Sequence, residues 1–303
     1  MTTGLRGQQY NVRGLEGWVP GADTAYITGH DSRILRWDGA ALTEVSTPFA
    51  GVPSPISGYG RPLEGIWGSS SSDLYVGGGF RNACYTPPTD CDGILAHFNG
   101  SSWQVIYNQG IVIHTIWGTA PDDIFALGHQ AGLHFDGTSW TRTGQGVFDT
   151  DQILAVWGYR SNDIWACGEN RDIYHYDGQS WSKFVHSTIG CGAMIGFAPN
   201  DIYMAGFSDG PNGTVTTVGH YDGFAWSVVY TGSFPNSDYS EISIWGSGPH
   251  DVQVSFGSEY VRFDGNSWQR QPLPPMGPMT ITGDSRGHIF GSGELAGFVI
   301  GHQ

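Results

Sequence analysis

Six basic side chains recur at one position of the sequence, each directly before an aromatic-Asp/Asn-Gly step: Arg36, His97, His134, His175, His220 and Arg262. Imidazoles in equivalent places raise the question of a metal centre, because zinc takes N or S ligands converging at about 2 Å. In a repeat, equivalent residues are distributed over successive units and stand apart. They are therefore expected to hydrogen-bond between units, and neither a metal nor a cofactor is expected. A second recurring group, Asp73, Asp123, Asp163, Asp201 and Asp251, reads as turn chemistry, an Asx side chain bonding backbone two residues on. A catalytic group should break the repeat, since a site is asymmetric.

The polar residues without a counterpart in other units are the better candidates. His30, His114, His129, Asp151, Glu169 and Arg171 form the expected ligand-binding set, with Asp31, Asp149 and Asn170 beside them and Glu16 and Glu64 in two Leu-Glu-Gly steps. They fall in or next to connecting segments, where binding residues concentrate. Four connections depart from the consensus: residues 80–92, 186–192, 208–213 and 234–241. The four cysteines suggest two disulfides, Cys84–Cys91 within a Pro-rich loop and Cys167–Cys191 on one face. The alternative is four thiols in a reducing compartment. A CxxC zinc spacing is absent, and Cys191 with His114 or His186 is the one thiol–imidazole combination available to a nucleophile.

The elements that must position these groups follow from two recurring phrases. One is apolar-Trp-Gly, a polar turn, then Asp-apolar-aromatic: Ile66-Trp67-Gly68 to Asp73-Leu74-Tyr75, Ile116-Trp117-Gly118 to Asp123-Ile124-Phe125, Val156-Trp157-Gly158 to Asp163-Ile164-Trp165, and Ile244-Trp245-Gly246 to Asp251-Val252. A degenerate copy runs from Ile195-Gly196-Phe197 to Asp201-Ile202-Tyr203. The other is aromatic-Asp/Asn-Gly-x-x-Trp, with Trp103, Trp140, Trp181, Trp226 and Trp268, and Leu42 in the first copy. Its Asp/Asn positions are spaced 61, 37, 41, 45 and 42 residues apart. Asp-Gly accepts the positive φ of a tight hairpin. Two strands per phrase make four per unit of about 40 residues, the blade of a β-propeller.

Six full copies run from Gly14 to Arg270, and a seventh, from Ile281 to Ile300, holds three strands. The expected fold is all-β, a seven-bladed β-propeller filling residues 1–303 as one domain, with the N-terminal strand at Tyr10-Asn11-Val12 completing the last blade.

These phrases resemble the bacterial tryptophan-rich propeller repeats abundant in myxobacterial proteins, over essentially the whole chain. The resemblance implies a surface or secreted scaffold and says little of chemistry. The Asp-Gly-x-Ser-Trp hairpin is also similar to the Asp-box of sialidase-like propellers, but the Ser-x-Asp lead-in is missing, so no sialidase chemistry carries over.

Composition narrows the partner. With 13 Lys+Arg against 28 Asp+Glu, the net charge is −15, the wrong sign for nucleic acid or an anionic membrane surface. No run of 18 apolar residues is present, so membrane insertion is not expected. A neutral glycan, a peptide or a protein remains. The N-terminus lacks the apolar core of a leader; the expected location is secreted or cell-surface if the cysteines pair, and cytoplasmic otherwise. The functional expectation is a binding scaffold, lectin-like or protein-recognising, acting at the loop-rich mouth of the ring. The alternative is a hydrolase or lyase using His and acidic residues there, which a His–carboxylate cluster within hydrogen-bond reach would favour.

Overall fold

The computed structural model describes residues 14–21, 24–29, 32–38, 41–45, 47, 62–80, 92–107, 110–211, 213–233, 242–257, 259–272, 279–283, 289–293 and 296–300. Every regular element among them is a strand. Blade one holds β1 (Gly14–Gly21), β2 (Thr24–Gly29), β3 (Ile34–Trp37) and β4 (Leu42–Val45), and blade two holds β5 (Leu63–Ser70), β6 (Asp73–Phe80), β7 (Asp92–Phe98) and β8 (Trp103–Tyr107). Blade three is β9 (Ile113–Ala120), β10 (Asp123–Gly128), β11 (Gly132–Phe135) and β12 (Trp140–Thr143). Blade four is β13 (Ile153–Arg160), β14 (Asp163–Gly168), β15 (Asp172–Tyr176) and β16 (Trp181–His186). Blade five is β17 (Ala193–Ala198), β18 (Asp201–Gly210), β19 (Gly213–Tyr221) and β20 (Trp226–Thr231), and blade six is β21 (Ser243–Gly248), β22 (Asp251–Ser255), β23 (Tyr260–Phe263) and β24 (Trp268–Gln271). The last sheet has three strands, β25 (Met279–Gly283), β26 (Ile289–Gly293) and β27 (Ala296–Ile300).

Each sheet is an antiparallel meander in chain order. The repeated phrases mark its strands: Asp opens the second strand and Trp opens the fourth, as at Asp123 and Trp140.

The expectation of seven four-stranded blades is corrected. The described residues form six, and the remaining sheet keeps three strands. The strand expected to complete it falls at residues 10–12, outside the described residues. The innermost strands pack in chain order, and β25 meets both β21 and β1. A Cβ on Gly17 of β1 would stand 2.8 Å from Thr282 Cγ2 of β25.

Packing explains the Trp-Gly pair. A Cβ on Gly118 would stand 2.9 Å from Trp67, one on Gly158 2.7 Å from Trp117, and one on Gly196 2.6 Å from Trp157. Trp18 approaches Gly68, and Phe197 approaches Gly246, in the same way. Each inner-strand aromatic therefore leans on the glycine of the following blade, where any larger residue would overlap the ring.

Apolar side chains fill the spaces between blades. Ile124, Ile164, Ile202 and Val252 of the second strands are fully buried, each stabilising by roughly 1.5–3 kcal/mol relative to exposure. The fourth-strand Trp of one blade meets the second-strand aromatic of the blade before it: Trp140 lies 5.8 Å from Tyr75, Trp181 6.0 Å from Phe125, and Trp268 6.3 Å from Tyr203. Three outer strands carry one residue more than their partners. The ladder steps over Ile106 in β8, Phe184 in β16 and Val229 in β20, a β-bulge in each.

Candidate functional site

Five of the six basic residues of the third strands, all but Arg36, bond an aspartate of their own blade rather than of a neighbouring one. His97 Nε2 is 2.6 Å from Asp73 Oδ1, His134 2.7 Å from Asp123, His175 2.9 Å from Asp163, and His220 2.7 Å from Asp201. In blade six Arg262 Nε donates to Asp251 at 2.7 Å. The cause is strand geometry. Side chains two apart share a face, so Asp123 and Phe125 point the same way, and His134 lies opposite Phe125 in the ladder. The imidazole stacks on that ring at 4.0 Å. The recurring aspartates are thus acceptors for the third-strand base, not backbone turn caps. Ser69, Thr119 and Ser247 hydroxyls donate to their second oxygens.

The turn chemistry expected there belongs to the Asp of Asp-Gly. Asp136 Oδ1 accepts from the amides of Thr138 at 2.9 Å and Ser139 at 2.8 Å, and Asp177, Asp222 and Asp264 repeat the pattern. Asn99 makes the same pair of bonds uncharged. The Thr138 hydroxyl and these amides hold the Asp136 carboxyl at about 2. Amide donors lower the other three as well.

The candidate binding set lies on the opposite face, which collects the connections from second to third strands and those entering each blade. His30 falls outside the described residues. His114 and Glu64, the second residues of neighbouring inner strands β9 and β5, join Nδ1 to Oε2 across the boundary of blades two and three. The His114 side chain is 2% exposed and that of Glu64 14%. His129 follows β10 and is buried, its amide donating to Val112 O at 3.0 Å.

Asp151 organises the next sector. Its Oδ1 accepts from the amides of Gln152 at 2.8 Å and Asn170 at 3.0 Å, and Oδ2 accepts from the Tyr174 hydroxyl at 2.9 Å. Its carbonyl takes the Gln130 amide from blade three. Three donors satisfy a carboxylate that burial would otherwise penalise. Gly168 makes room for it, since a Cβ there would stand 2.0 Å from Oδ2. The Tyr174 hydroxyl is pushed far up, first by burial and then by Asp151.

Asp151 therefore holds the β14–β15 loop, which presents the exposed members of the set. Gln152 Nε2 donates to Glu169 Oε2 at 2.6 Å, and Asn170 Nδ2 to Thr150 O at 2.7 Å. Arg171 adopts a left-handed φ of 65° and donates from Nη1 to Asp209 Oδ2 at 2.7 Å, across to blade five. The bond raises the guanidinium and lowers the Asp209 carboxyl, whose side chain is 82% exposed. Asp172 follows, buried beneath His186 Nδ1 at 2.8 Å and Lys183 Nζ. Burial works against its charge, but the hydrogen bonds from Lys183 and His186 outweigh it and hold the carboxyl below its ordinary range.

The structure thus brings Asp151, Glu169 and Arg171 together, and places His114 and His129 beneath the surface. Sequence reasoning missed Asp209, Asp172 and Glu259. Glu259 is buried and accepts from Thr216 and Tyr230 hydroxyls at 2.6 Å each and from Arg270 Nε at 2.5 Å. An acid at that position, five residues before the hairpin Asp, occurs in blades four and six alone, as Asp172 and Glu259, which was the available signal. Among the described residues, no three His, Cys, Asp or Glu side chains gather as a metal would require.

Cys167 and Cys191 are joined in a disulfide, with Cα atoms 5.9 Å apart. This removes Cys191 as a thiol nucleophile paired with His114 or His186. Cys84 and Cys91 lie outside the described residues.

No family model matches the sequence, and no curated protein does. Solved structures resemble the chain in shape. YCF48 bound to D1 peptide aligns over 100% of this chain and 98% of its own at a TM-score of 0.66 and 12% identity. The WD40 β-propeller domain of Doa1 aligns over 99% and 95%, at 0.68 and 12%, and the β-propeller domain of Myceliophteria thermophila Cps50 (Swd1) over 99% and 98%, at 0.65 and 8%. The chain is a β-propeller. At these identities the likeness of this propeller to its neighbours is one of fold.

Proposed function

We propose that this propeller is a binding scaffold that takes a peptide or protein segment on the face formed by the loops of blades three to five. The observation that carries the reading is the β14–β15 loop. A buried Asp151 fixes its backbone, and Glu169, Asn170, Arg171 and the facing Asp209 are presented outward. Rigidly held, partly exposed polar groups suit recognition, because little ordering is left for the ligand to impose. A propeller of the same fold bound to a peptide, YCF48 with D1 peptide, is consistent with it. The net charge of −15 favours a neutral or basic segment.

The test is selection of peptides from a displayed library against the immobilised protein, with calorimetry on the winners. Glu169→Ala, Arg171→Ala and Asp209→Ala should each weaken binding by about 1 kcal/mol or more if central to the contact. Asp136→Asn, on the opposite face, should leave it unchanged. Equal effects from both faces would refute the assignment.

A second reading, an enzyme, has one observation in its favour, the Glu64–His114 pair within hydrogen-bond reach. A screen of ester, glycoside and uronate substrates with wild type and His114→Ala tests it, and activity lost in the variant at unchanged fold would establish it.

A further inference from the structure

The Cys167–Cys191 bond sits directly beneath the loops just described. Cys167 is the penultimate residue of β14, fully buried, and the β14–β15 loop begins two residues later. Cys191 is half-buried in the segment that leads from β16 into β17. The bond therefore ties the second strand of blade four to the entry of blade five.

That entry segment is tightly seated on its own blade. A Cβ on Gly190 would stand 1.8 Å from Phe207 O, one on Gly206 1.9 Å from Gly190 O, and the Gly192 amide donates to Ala205 O at 2.9 Å. The Gly190 amide donates to Ser208 Oγ at 3.1 Å, one residue before Asp209. Above the bond, the described polar links across to the same region are the Ser187 amide on Arg171 O at 2.8 Å and the solvent-exposed Arg171–Asp209 pair, and Ile189 shares one buried apolar cluster with Cys167 and Ile173. Exposed ion pairs hold little by themselves. Below it, Trp165 packs on Tyr221 at 5.0 Å, and β13 packs on β17, independently of the sulfurs.

We propose that this disulfide is a redox latch for the loop face. Oxidised, it clamps residues 168–172 and 187–192 in one arrangement; reduced, it releases that sector while the ring stays closed. The co-reactant is a dithiol of the thioredoxin class. Its thiolate attacks the more accessible Cys191 Sγ, the S–S bond breaks, and Cys167 Sγ leaves with the electron pair and takes a proton. The second thiol of the reductant then displaces Cys191 from the mixed disulfide, and that sulfur takes the second proton. Two electrons and two protons pass to the protein, and the dithiol closes to a disulfide. The latch acts on the face assigned under the proposed function, but it is tested without any ligand.

The experiment is hydrogen exchange on the full chain, oxidised and after treatment with a dithiol in native buffer, with mass mapping of alkylated Cys167 and Cys191. The chain carries two further cysteines, Cys84 and Cys91, so the double variant C167A/C191A isolates this bond. Expected are native-state reduction faster than global unfolding and exchange about tenfold faster or more in 168–172 and 187–192, with 124–128 and 202–204 unchanged. A bond that yields only in denaturant, unchanged loop exchange, or acceleration spread evenly over blades four and five would overturn the latch. If the double variant fails to fold, the dithiol-treated wild type decides alone. Peptide selection failing on both redox forms would count against the binding reading and leave the latch standing.

Discussion

The indole of Trp117 lies over the backbone of Gly158 in the next blade, so close that a methyl group there would stand 2.7 Å from Cη2. The neighbouring Ile164 Cγ1 would be 2.9 Å away, so the added carbon meets crowding on two sides. Gly158→Ala should destabilise by roughly 1–3 kcal/mol, the usual cost of overpacking. Denaturant unfolding measures it, and a neutral result would mean that the inner strands separate freely.

Trp181 is buried and touches rings of two blades, Tyr176 at 5.3 Å in its own and Phe125 at 6.0 Å in the one before. Truncation to Ala removes both contacts and leaves a cavity between blades, a loss of about 3–5 kcal/mol. Trp140 is half-exposed, so Trp140→Ala should cost less. Equal losses below about 1 kcal/mol for both, on the scale of surface substitutions, would refute blade-to-blade packing by these rings.

Acid should act through the hairpin carboxylates. Asp136 sits at about 2 in the folded chain, and Asp177, Asp222 and Asp264 are lowered in the same way. An unfolded aspartate titrates near 3.9. A depressed carboxylate lends its stability above that value and loses it as pH falls toward the folded value, here from about pH 4 to about pH 2. Replacing all four by Asn keeps an acceptor, as Asn99 shows, and removes the titration. Melting temperature plotted against pH should fall less steeply for the variant in that window. Parallel curves would disprove the linkage.

Asp151 and Glu169 belong to one loop yet should behave oppositely. Asp151→Ala strands two amides and a phenol, on the order of 1–3 kcal/mol for each buried donor left unmatched. Glu169→Ala should stay within about 0.5 kcal/mol. Melts of the two variants make the comparison. His114→Ala and His129→Ala, both buried, should follow Asp151 and lower stability as well.

Strand order and blade frame were legible because each phrase carries its own mechanism. Asp-Gly makes the hairpin, and Trp opens the strand after it, as at Asp177 and Trp181. The partner of each third-strand histidine was not legible, since it depends on register. Asp123 and His134 meet because His134 faces Phe125, a pairing that spacing alone leaves open. On the loop face, departure from the repeat located Glu169 and Arg171 but did not separate surface from interior. Asp151 breaks the repeat as they do, yet serves as an internal acceptor. Asp209 is the penultimate residue of a strand whose extra length is visible only once β18 and β19 are paired to their tips.

The bulges at Ile106, Phe184 and Val229 bear on behaviour at high concentration. Each lies on the outermost strand of its blade, where the free edge faces other molecules. An unbroken run of unpaired amides and carbonyls would template cross-β stacking. The extra residue throws the alternation out of phase part-way along the edge, so an incoming strand matches only a few residues before its ladder fails. Between copies that each carry −15 charges, so short a ladder makes these three edges poor nuclei for fibrils.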